Sequence, residues 1–71
     1  MNIKIKDFLQ ANKNDDIKFV IRSHTTNNTC CTGYIQQGCI YINYNYNYNF
    51  TNKHVQTWFM LDGYIVIDVD D

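Results

Sequence analysis

The fold of this chain is decided by the stretch from Val55 to Val69, which reads VQTWFML, then DG, then YIVIDV. Asp62-Gly63 separates two apolar runs, and Asp-Gly in that position is the strongest short signal for a β-hairpin. A two-residue turn at this point fixes the cross-strand pairs, which are Leu61 with Tyr64, Met60 with Ile65 and Trp58 with Ile67.

Both faces of the predicted hairpin are apolar, because side chains alternate between the two faces of a strand. The face that we predict to be core carries Trp58, Met60, Ile65, Ile67 and Val69. The opposite face carries Phe59, Leu61, Tyr64 and Val66. We therefore expect the hairpin to be covered on both sides.

Three further strands are predicted before the hairpin, and the first two lie between Ile17 and Gln36. The stretch from Ile17 to Ser23 alternates between two sets of side chains, as a strand does. Thr25 to Thr29 has the composition of a loop. Cys30 to Gln36 is predicted as a strand that Gly33 weakens, and Gln37-Gly38 as a tight reversal in which glycine supplies positive φ.

The segment from Cys39 to Phe50 has the most regular alternation in the chain. One face carries the apolar and aromatic residues Ile40, Ile42, Tyr44, Tyr46, Tyr48 and Phe50. The other face carries Tyr41, Asn43, Asn45, Asn47 and Asn49. A period of two predicts a strand, and its unusual length predicts a bend or a break.

The start of the chain predicts a short amphipathic helix from Ile3 to Ala11. One stripe of that helix, at spacing i, i+3 and i+4, consists of Ile5, Phe8 and Leu9. Asn2 is a candidate N-cap, and Asn12 is suited to end the helix. The alternative is a strand at Ile3 to Lys6, where apolar and charged residues alternate.

These elements predict an α+β fold that is mostly β. A short N-terminal helix is followed by about five antiparallel strands, which form either a small SH3-like barrel or an open bent sheet with the helix on one face. A chain of 71 residues is expected to be a single domain, spanning 1–71.

Composition narrows the class of protein. The net charge is −1 and the six Lys and Arg residues are scattered. The sequence therefore has no basic stripe of the kind that binds a nucleic-acid backbone. No apolar run is long enough for a signal peptide or a membrane span, and we expect a cytoplasmic protein with reduced cysteines. Abundant Asn, Ile, Tyr and Lys without Pro indicate an AT-rich genome.

The residues suited to metal or nucleophilic chemistry are His24, Cys30, Cys31, Cys39 and His54. No Cys-x-x-Cys pair is present, and adjacent cysteines on a strand point to opposite faces. We therefore predict no metal site, no cofactor and no catalytic residue, and the chain is expected not to be an enzyme. An enzyme that uses Cys and His is the weaker alternative.

Two surfaces are candidates for binding. Tyr residues of the alternating segment are suited to stacking on planar ligands or to augmenting a partner's sheet, namely Tyr41, Tyr44, Tyr46 and Tyr48. Carboxylates near the end of the chain form an acidic surface, namely Asp68, Asp70 and Asp71.

Two segments carry a resemblance to known proteins. The opening IKIKDFL at 3–9 and the closing VQTWFMLDGYIVI at 55–67 resemble small phage and prophage open reading frames of low-GC Gram-positive bacteria. Those reading frames begin with a helix in which Ile-Lys is followed by an acidic residue, then Phe or Leu, then Leu. They end in a hairpin that has Trp or Phe four residues before Asp-Gly or Asp-Asn. Some proteins of this kind are anti-defence proteins, including anti-CRISPR-like ones.

Two functions are expected from this combination. The first is a non-enzymatic counter-defence inhibitor that contacts a host protein with a basic nucleic-acid groove, through Tyr41 to Tyr48 and Asp68 to Asp71. The second is a homo-oligomeric sponge for a nucleotide signal, in which the tyrosines stack on the base and Arg22 or Lys18 meets the phosphate.

Overall fold

The computed structural model describes residues 3–45 and 53–69. These residues form one helix and five strands, which confirms the α+β, mostly β prediction. The elements are α1 Ile5–Ala11, β1 Ile17–Ser23, β2 Thr29–Gln36, β3 Cys39–Asn45, β4 Val55–Leu61 and β5 Tyr64–Val69. Across the described residues, no helix has the length and apolar character that a membrane span requires.

The strands form one open sheet in the order β3-β2-β1-β5-β4. Of the two predicted architectures, the open sheet is the observed one. Antiparallel pairing holds for three of the neighbouring pairs, but β1 and β5 are parallel. The expectation of a wholly antiparallel sheet is corrected at this central pair.

The parallel pair has a physical reason in β5. All residues from Ile65 to Val69 are buried, and a strand buried on both faces occupies the middle of a sheet, where continuous apolar runs are typical of parallel neighbours. The meander β1-β2-β3 and the hairpin β4-β5 therefore join along their most apolar strands. The uninterrupted run Ile65-Val66-Ile67 is the sequence signal for this arrangement.

Both predicted tight turns are confirmed. Asp62 and Gly63 have φ of 50° and 81°, and Gln37 and Gly38 have φ of 52° and 80°. Two successive positive φ values define the type I′ turn, whose twist matches that of the flanking strands. The predicted pairs of the β4-β5 hairpin are all present, including Trp58 with Ile67.

The helix packs its predicted stripe against one face of the sheet, which we call the helix face. Its three buried side chains, from Ile5, Phe8 and Leu9, join one apolar cluster with residues of β1, β2, β4 and β5. A seven-residue helix is not stable alone, so this packing is what maintains it. On the edge strand β4, the ring of Trp58 lies against that of Phe8, with ring centroids 5.8 Å apart.

The helix begins later than predicted, and both readings of the start are partly right. Ile3 and Lys4 are extended and pair with Lys53 to Val55, through a bridge between Lys4 and His54. The helix then starts at Ile5. Asn12 ends it as predicted, donating its side-chain amide to the carbonyl of Phe8 at 2.8 Å, whereas Asn2 lies outside the described residues.

Gly33 allows β3 to lie against the core. A Cβ at this position would be 2.2 Å from the Tyr41 carbonyl oxygen and 2.6 Å from Cζ of Phe19. No side chain fits in that space, so the glycine that seemed to weaken β2 is required by close packing.

Candidate binding face of the sheet

The face of the sheet opposite α1 carries a band of aromatic and aliphatic side chains. Residues that pair across strands lie on the same face, and three rows can be read from the register. The first row is Tyr41, Tyr34, Lys18, Tyr64 and Leu61; the second is Tyr44, Thr32, Val20, Val66 and Phe59; the third is Thr29, Arg22, Asp68 and Thr57. We call these three rows the open face.

The open face remains accessible, whereas the helix face is buried at its central strands. The residues of the open face show this directly. Its exposed fractions are 44% for Tyr41, 52% for Tyr44, 38% for Phe59, 55% for Leu61 and 37% for Tyr64. No element of the described residues packs over it. The expectation that the hairpin is covered on both sides is thus wrong for the described part of the chain. At the edge of the helix face Trp58 and Met60, which were predicted as core, are 43% and 53% exposed, so that prediction is corrected for these two residues.

A bulge in β3 places two of the predicted tyrosines on this face. Thr32 pairs with Tyr44 while Gly33 pairs with Ile42, so Asn43 is an extra residue in the strand. A bulge breaks strict alternation, and Tyr44 therefore joins Tyr41 instead of Ile42. The alternation predicted from Cys39 to Phe50 is corrected at this point, and Tyr46 and Tyr48 lie outside the described residues.

Aromatic and cationic side chains are ordered along the first row. The rings of Tyr34 and Tyr41 are stacked, with centroids 4.8 Å apart and an interplanar angle of 18°. The Lys18 ammonium lies 5.5 Å from the centroid of Tyr64. The charge of the nearby Cys39 and a hydrogen bond to it raise the pKa of Tyr41 above its ordinary value.

The third row contains a largely buried ion pair. Arg22 donates from Nε and Nη2 to the two carboxylate oxygens of Asp68, at 2.9 and 3.1 Å. That hydrogen bonding raises the pKa of Arg22, against the opposing effect of desolvation. The guanidinium also lies 5.3 Å from the centroid of Phe59, so the pair is part of the packed surface.

The acidic surface predicted at the end of the chain loses one member. Asp68 is only 5% exposed, and besides Arg22 it has Nδ1 of His24 at 3.6 Å. Its charge is neutralised within the fold, so we correct its assignment as an exposed acidic residue. Asp70 and Asp71 lie outside the described residues.

The two predicted phosphate-binding cations, Arg22 and Lys18, differ in whether a carboxylate neutralises them. Arg22 is engaged by Asp68, whereas Lys18 makes no ion pair with a described carboxylate. Lys18 borders an open cleft of about 520 Å³ where β1 starts and β2 ends, together with Tyr34, Tyr64 and the acidic residues Asp16 and Asp62. The cleft thus presents one cation beside two carboxylates.

A second, smaller depression of about 270 Å³ lies beside the hairpin turn. Val20 and Val66 face each other across the central pair of strands and line it together with Leu61 and Tyr64. Val66 is only 5% exposed, because longer side chains stand around it. An apolar group is the chemistry that such a depression accommodates.

The cysteines and histidines do not assemble into a reactive group in the described part of the chain. No three His, Cys, Asp or Glu side chains there lie close enough to hold a metal ion. Cys31 is fully buried, and burial raises the pKa of its thiol to about 11, with a smaller effect of Cys30. A thiol with that pKa is a poor nucleophile at neutral pH.

The sequence did not reveal how β1 pairs with β5, or how the bulge shifts the pairing of β2 with β3, and these pairings bring the site together. Sequence reasoning missed Tyr34, which pairs with Lys18, and Thr32, which pairs with Val20. It also placed Phe59, Leu61 and Tyr64 on a covered face, whereas they belong to this exposed site. Comparisons of this chain with known protein families, curated proteins and solved structures find no match.

Proposed function

We propose that this chain is a non-enzymatic binding module that acts by protein–protein contact through the open face. The observation that carries the proposal is the band of exposed tyrosine, phenylalanine and leucine side chains on that face. Tyrosine is enriched among the residues that dominate the binding energy of protein interfaces. An apolar band on a small protein typically marks an interaction surface.

The charges of this face favour a protein over a nucleotide as its ligand. A phosphate group requires cations, but Arg22 is already neutralised by Asp68. Lys18 is the remaining Lys or Arg of the open face, and Asp16 and Asp62 lie in the same cleft. An anionic ligand would therefore meet a net negative charge at this cleft, whereas an apolar protein surface would meet matching chemistry.

The proposed partner is a host defence protein, which makes the chain a counter-defence inhibitor of the anti-CRISPR-like kind. This part of the proposal is supported by the resemblance of the segments 3–9 and 55–67 to phage and prophage reading frames. Because the contact is apolar and Asp68 is paired, the affinity should change little between low and high salt.

Site-specific photo-crosslinking in host cells tests the proposed surface. A benzophenone amino acid replaces Tyr41 on the open face in one variant and Gln10 on the exposed side of α1 in the other. We expect one defined protein to be captured from the Tyr41 position and not from the Gln10 position. Capture of the same protein from both positions would contradict docking through the open face.

The captured protein then allows a quantitative test with purified components. Tyr64→Ala should weaken binding about tenfold or more, as a substitution at an interface hot spot does. Gln10→Ala should change the affinity less than about twofold, because surface positions outside an interface contribute little. Equal effects of the two substitutions would sink the proposal, and a nucleotide that binds the wild-type chain without any protein would favour the sponge.

A further inference from the structure

Strand β4 forms an edge of the sheet that is apolar on both sides. Its residues from Gln56 to Leu61 contain no charged side chain. Trp58 and Met60 on the helix face are 43% and 53% exposed, and Phe59 and Leu61 are exposed on the open face. Proteins usually protect such an edge with Lys, Pro or an inward-pointing charge, and β4 has none of these.

The backbone of this edge is occupied only at its beginning. Val55 donates its N–H to the carbonyl of Ile3 at 2.8 Å, and Ile5 donates to the carbonyl of Lys53 at 2.9 Å. Beyond Val55, no described strand lies outside β4. The edge is therefore closed next to the helix and open towards the hairpin turn.

The hairpin register determines which backbone groups point outward. Leu61 and Tyr64 flank the two-residue turn, and such flanking residues form a hydrogen-bonded pair. The backbone groups of Leu61 and Phe59 consequently face β5. Those of Trp58 and Met60 point away from the sheet, where another strand can pair with them.

We propose that β4 pairs with β4 of a second copy of this chain, antiparallel and centred on Phe59. Directly opposed residues have their side chains on the same face. A two-fold axis perpendicular to the sheet must therefore run midway between two copies of the same residue. With the axis midway between the two copies of Phe59, Trp58 of each copy opposes Met60 of the other. The outward backbone groups of Trp58 and Met60 then form the hydrogen bonds between the copies.

This register also matches the side chains on both faces. On the open face the two Phe59 rings meet in a non-hydrogen-bonded pair, where side chains are closest. On the helix face each Trp58 lies beside a methionine, and sulfur–aromatic contacts are favourable. The two open faces become one continuous surface across the pair of copies.

A second copy is the occupant that the chemistry of β4 favours. Identical strands with no charge do not repel each other in any register, and isologous contacts of this kind are the commonest in soluble proteins. The four exposed side chains bury on the order of 400 Å² per copy if each contributes roughly half of a typical side-chain area. This is below the size of a tight interface, so the dimer should be weak and concentration-dependent.

Disulfide trapping tests the register directly. Phe59→Cys is made in a background with Cys30→Ser and Cys39→Ser, which leaves only the buried Cys31. Mild oxidation should give a covalent dimer, because opposed Cβ atoms in a non-hydrogen-bonded pair lie near disulfide distance. Trp58→Cys alone should give at least fivefold less dimer, whereas Trp58→Cys mixed with Met60→Cys should crosslink.

Sedimentation velocity provides a second test that needs no new cysteine. Phe59→Lys places two ammonium groups opposite each other and should raise the dimer dissociation constant at least tenfold. Tyr41→Lys on β3, the other edge, is the matched control and should leave it unchanged. Circular dichroism of both variants establishes that the fold is retained.

A wild-type chain that stays monomeric up to about millimolar concentration would overturn the inference, as would a dimer that Tyr41→Lys dissociates and Phe59→Lys does not. A foreign strand captured at β4 by a chain that never self-associates would also overturn it. The dimer and the proposed function share Phe59 and Leu61, but their failures are distinguishable, because Tyr64→Ala tests partner binding and leaves β4 intact.

Discussion

The two faces of this sheet are built from alternate residues of the same strands, yet they differ in what covers them. On the helix face Phe19, Ile21 and Ile67 are 0% exposed. On the open face Tyr41, Tyr44 and Leu61 are about half exposed. Both faces are apolar in sequence, so apolar character alone does not identify a core. The helix supplies only enough surface for one face, and the other remains available for contact.

The largest expected effect comes from comparing a phenylalanine on each face. Phe19→Ala should lower the free energy of unfolding by about 3–5 kcal/mol, because it leaves a cavity under α1. A chain of this size has a total stability of about 4–10 kcal/mol, so this variant should lose a large part of its stability. Phe59→Ala, at a position 38% exposed, should cost about 1 kcal/mol or less. Urea denaturation of both variants, followed by Trp58 fluorescence, measures the difference.

Equal losses for the two phenylalanine variants would mean that the open face is covered in solution. The dimer proposed through β4 places Phe59 at its centre, so the measurement should be made at low protein concentration. A loss at Phe59 that grows with concentration would then report the dimer and not a hidden core.

The second prediction concerns the close approach of β3 to the helix face. Gly33→Ala should destabilise the protein by about 3 kcal/mol, at the upper end for overpacking. The added methyl group would meet the Tyr41 backbone at 2.2 Å, which cannot move without shifting β3. Gly38→Ala is the contrasting control, since its cost is only that of a positive φ with open space around it. If thermal denaturation shows a greater loss at Gly38, the close packing of β3 is not the constraint.

The third prediction concerns the buried ion pair of the open face. Asp68→Ala should cost about 2–3 kcal/mol, less than a fully buried pair, because the Arg22 side chain is 27% exposed. Removing the carboxylate leaves the guanidinium without its bidentate partner. His24→Ala should cost well under 1 kcal/mol, because a half-exposed contact at 3.6 Å contributes little. Similar losses for both variants in urea denaturation would contradict this assignment.

The local structure of this fold follows from sequence because its signals are local. The Asp62-Gly63 turn fixed its own hairpin, the limits of β1 coincide with the predicted ones, and Asn12 ends the helix. Each depends on neighbouring residues whose backbone preferences are strong. The helix start differs because Ile3 and Lys4 pair with distant Lys53 to Val55. The local alternation at Ile3 to Lys6 allowed a strand there but did not identify its partner.

The candidate site is harder to predict because it depends on contacts between distant strands. The bulge at Asn43 reverses the face of Tyr44, because a one-residue shift moves a side chain to the opposite face of the sheet. Asp68 looked like part of an acidic terminus, but parallel pairing of β1 with β5 places it opposite Arg22. The bulge has no local signature, and the apolar run Ile65-Val66-Ile67 indicates a central strand without identifying β1 as its parallel neighbour.

The smallest expected effect concerns a cysteine buried under the helix face and one exposed at the edge of β3. Burial raises the pKa of Cys31 from 9.0 to about 11, so in the unfolded chain this thiol loses its proton at lower pH than in the fold. The stabilisation is complete below pH 9, and it is lost as pH rises towards 11. When the pH is raised from 9 to 11, the free energy of unfolding should fall by about 1–2 kcal/mol more for the wild type than for Cys31→Ala. This is within the range that a pKa difference of about two units allows.

Alkylation of the folded protein by iodoacetamide at pH 8 separates the same two thiols kinetically. Cys39 is exposed and Cys31 is buried, so Cys39 should react at least tenfold faster, because only an accessible thiolate attacks the reagent. Peptide mass spectrometry gives both rates in one sample, and a variant with both Cys30→Ser and Cys39→Ser gives the rate of Cys31 alone. Comparable rates would mean that the helix opens from the sheet on the time scale of alkylation. The helix face would then be only transiently protected from solvent, and it would differ less from the open face than the structure indicates.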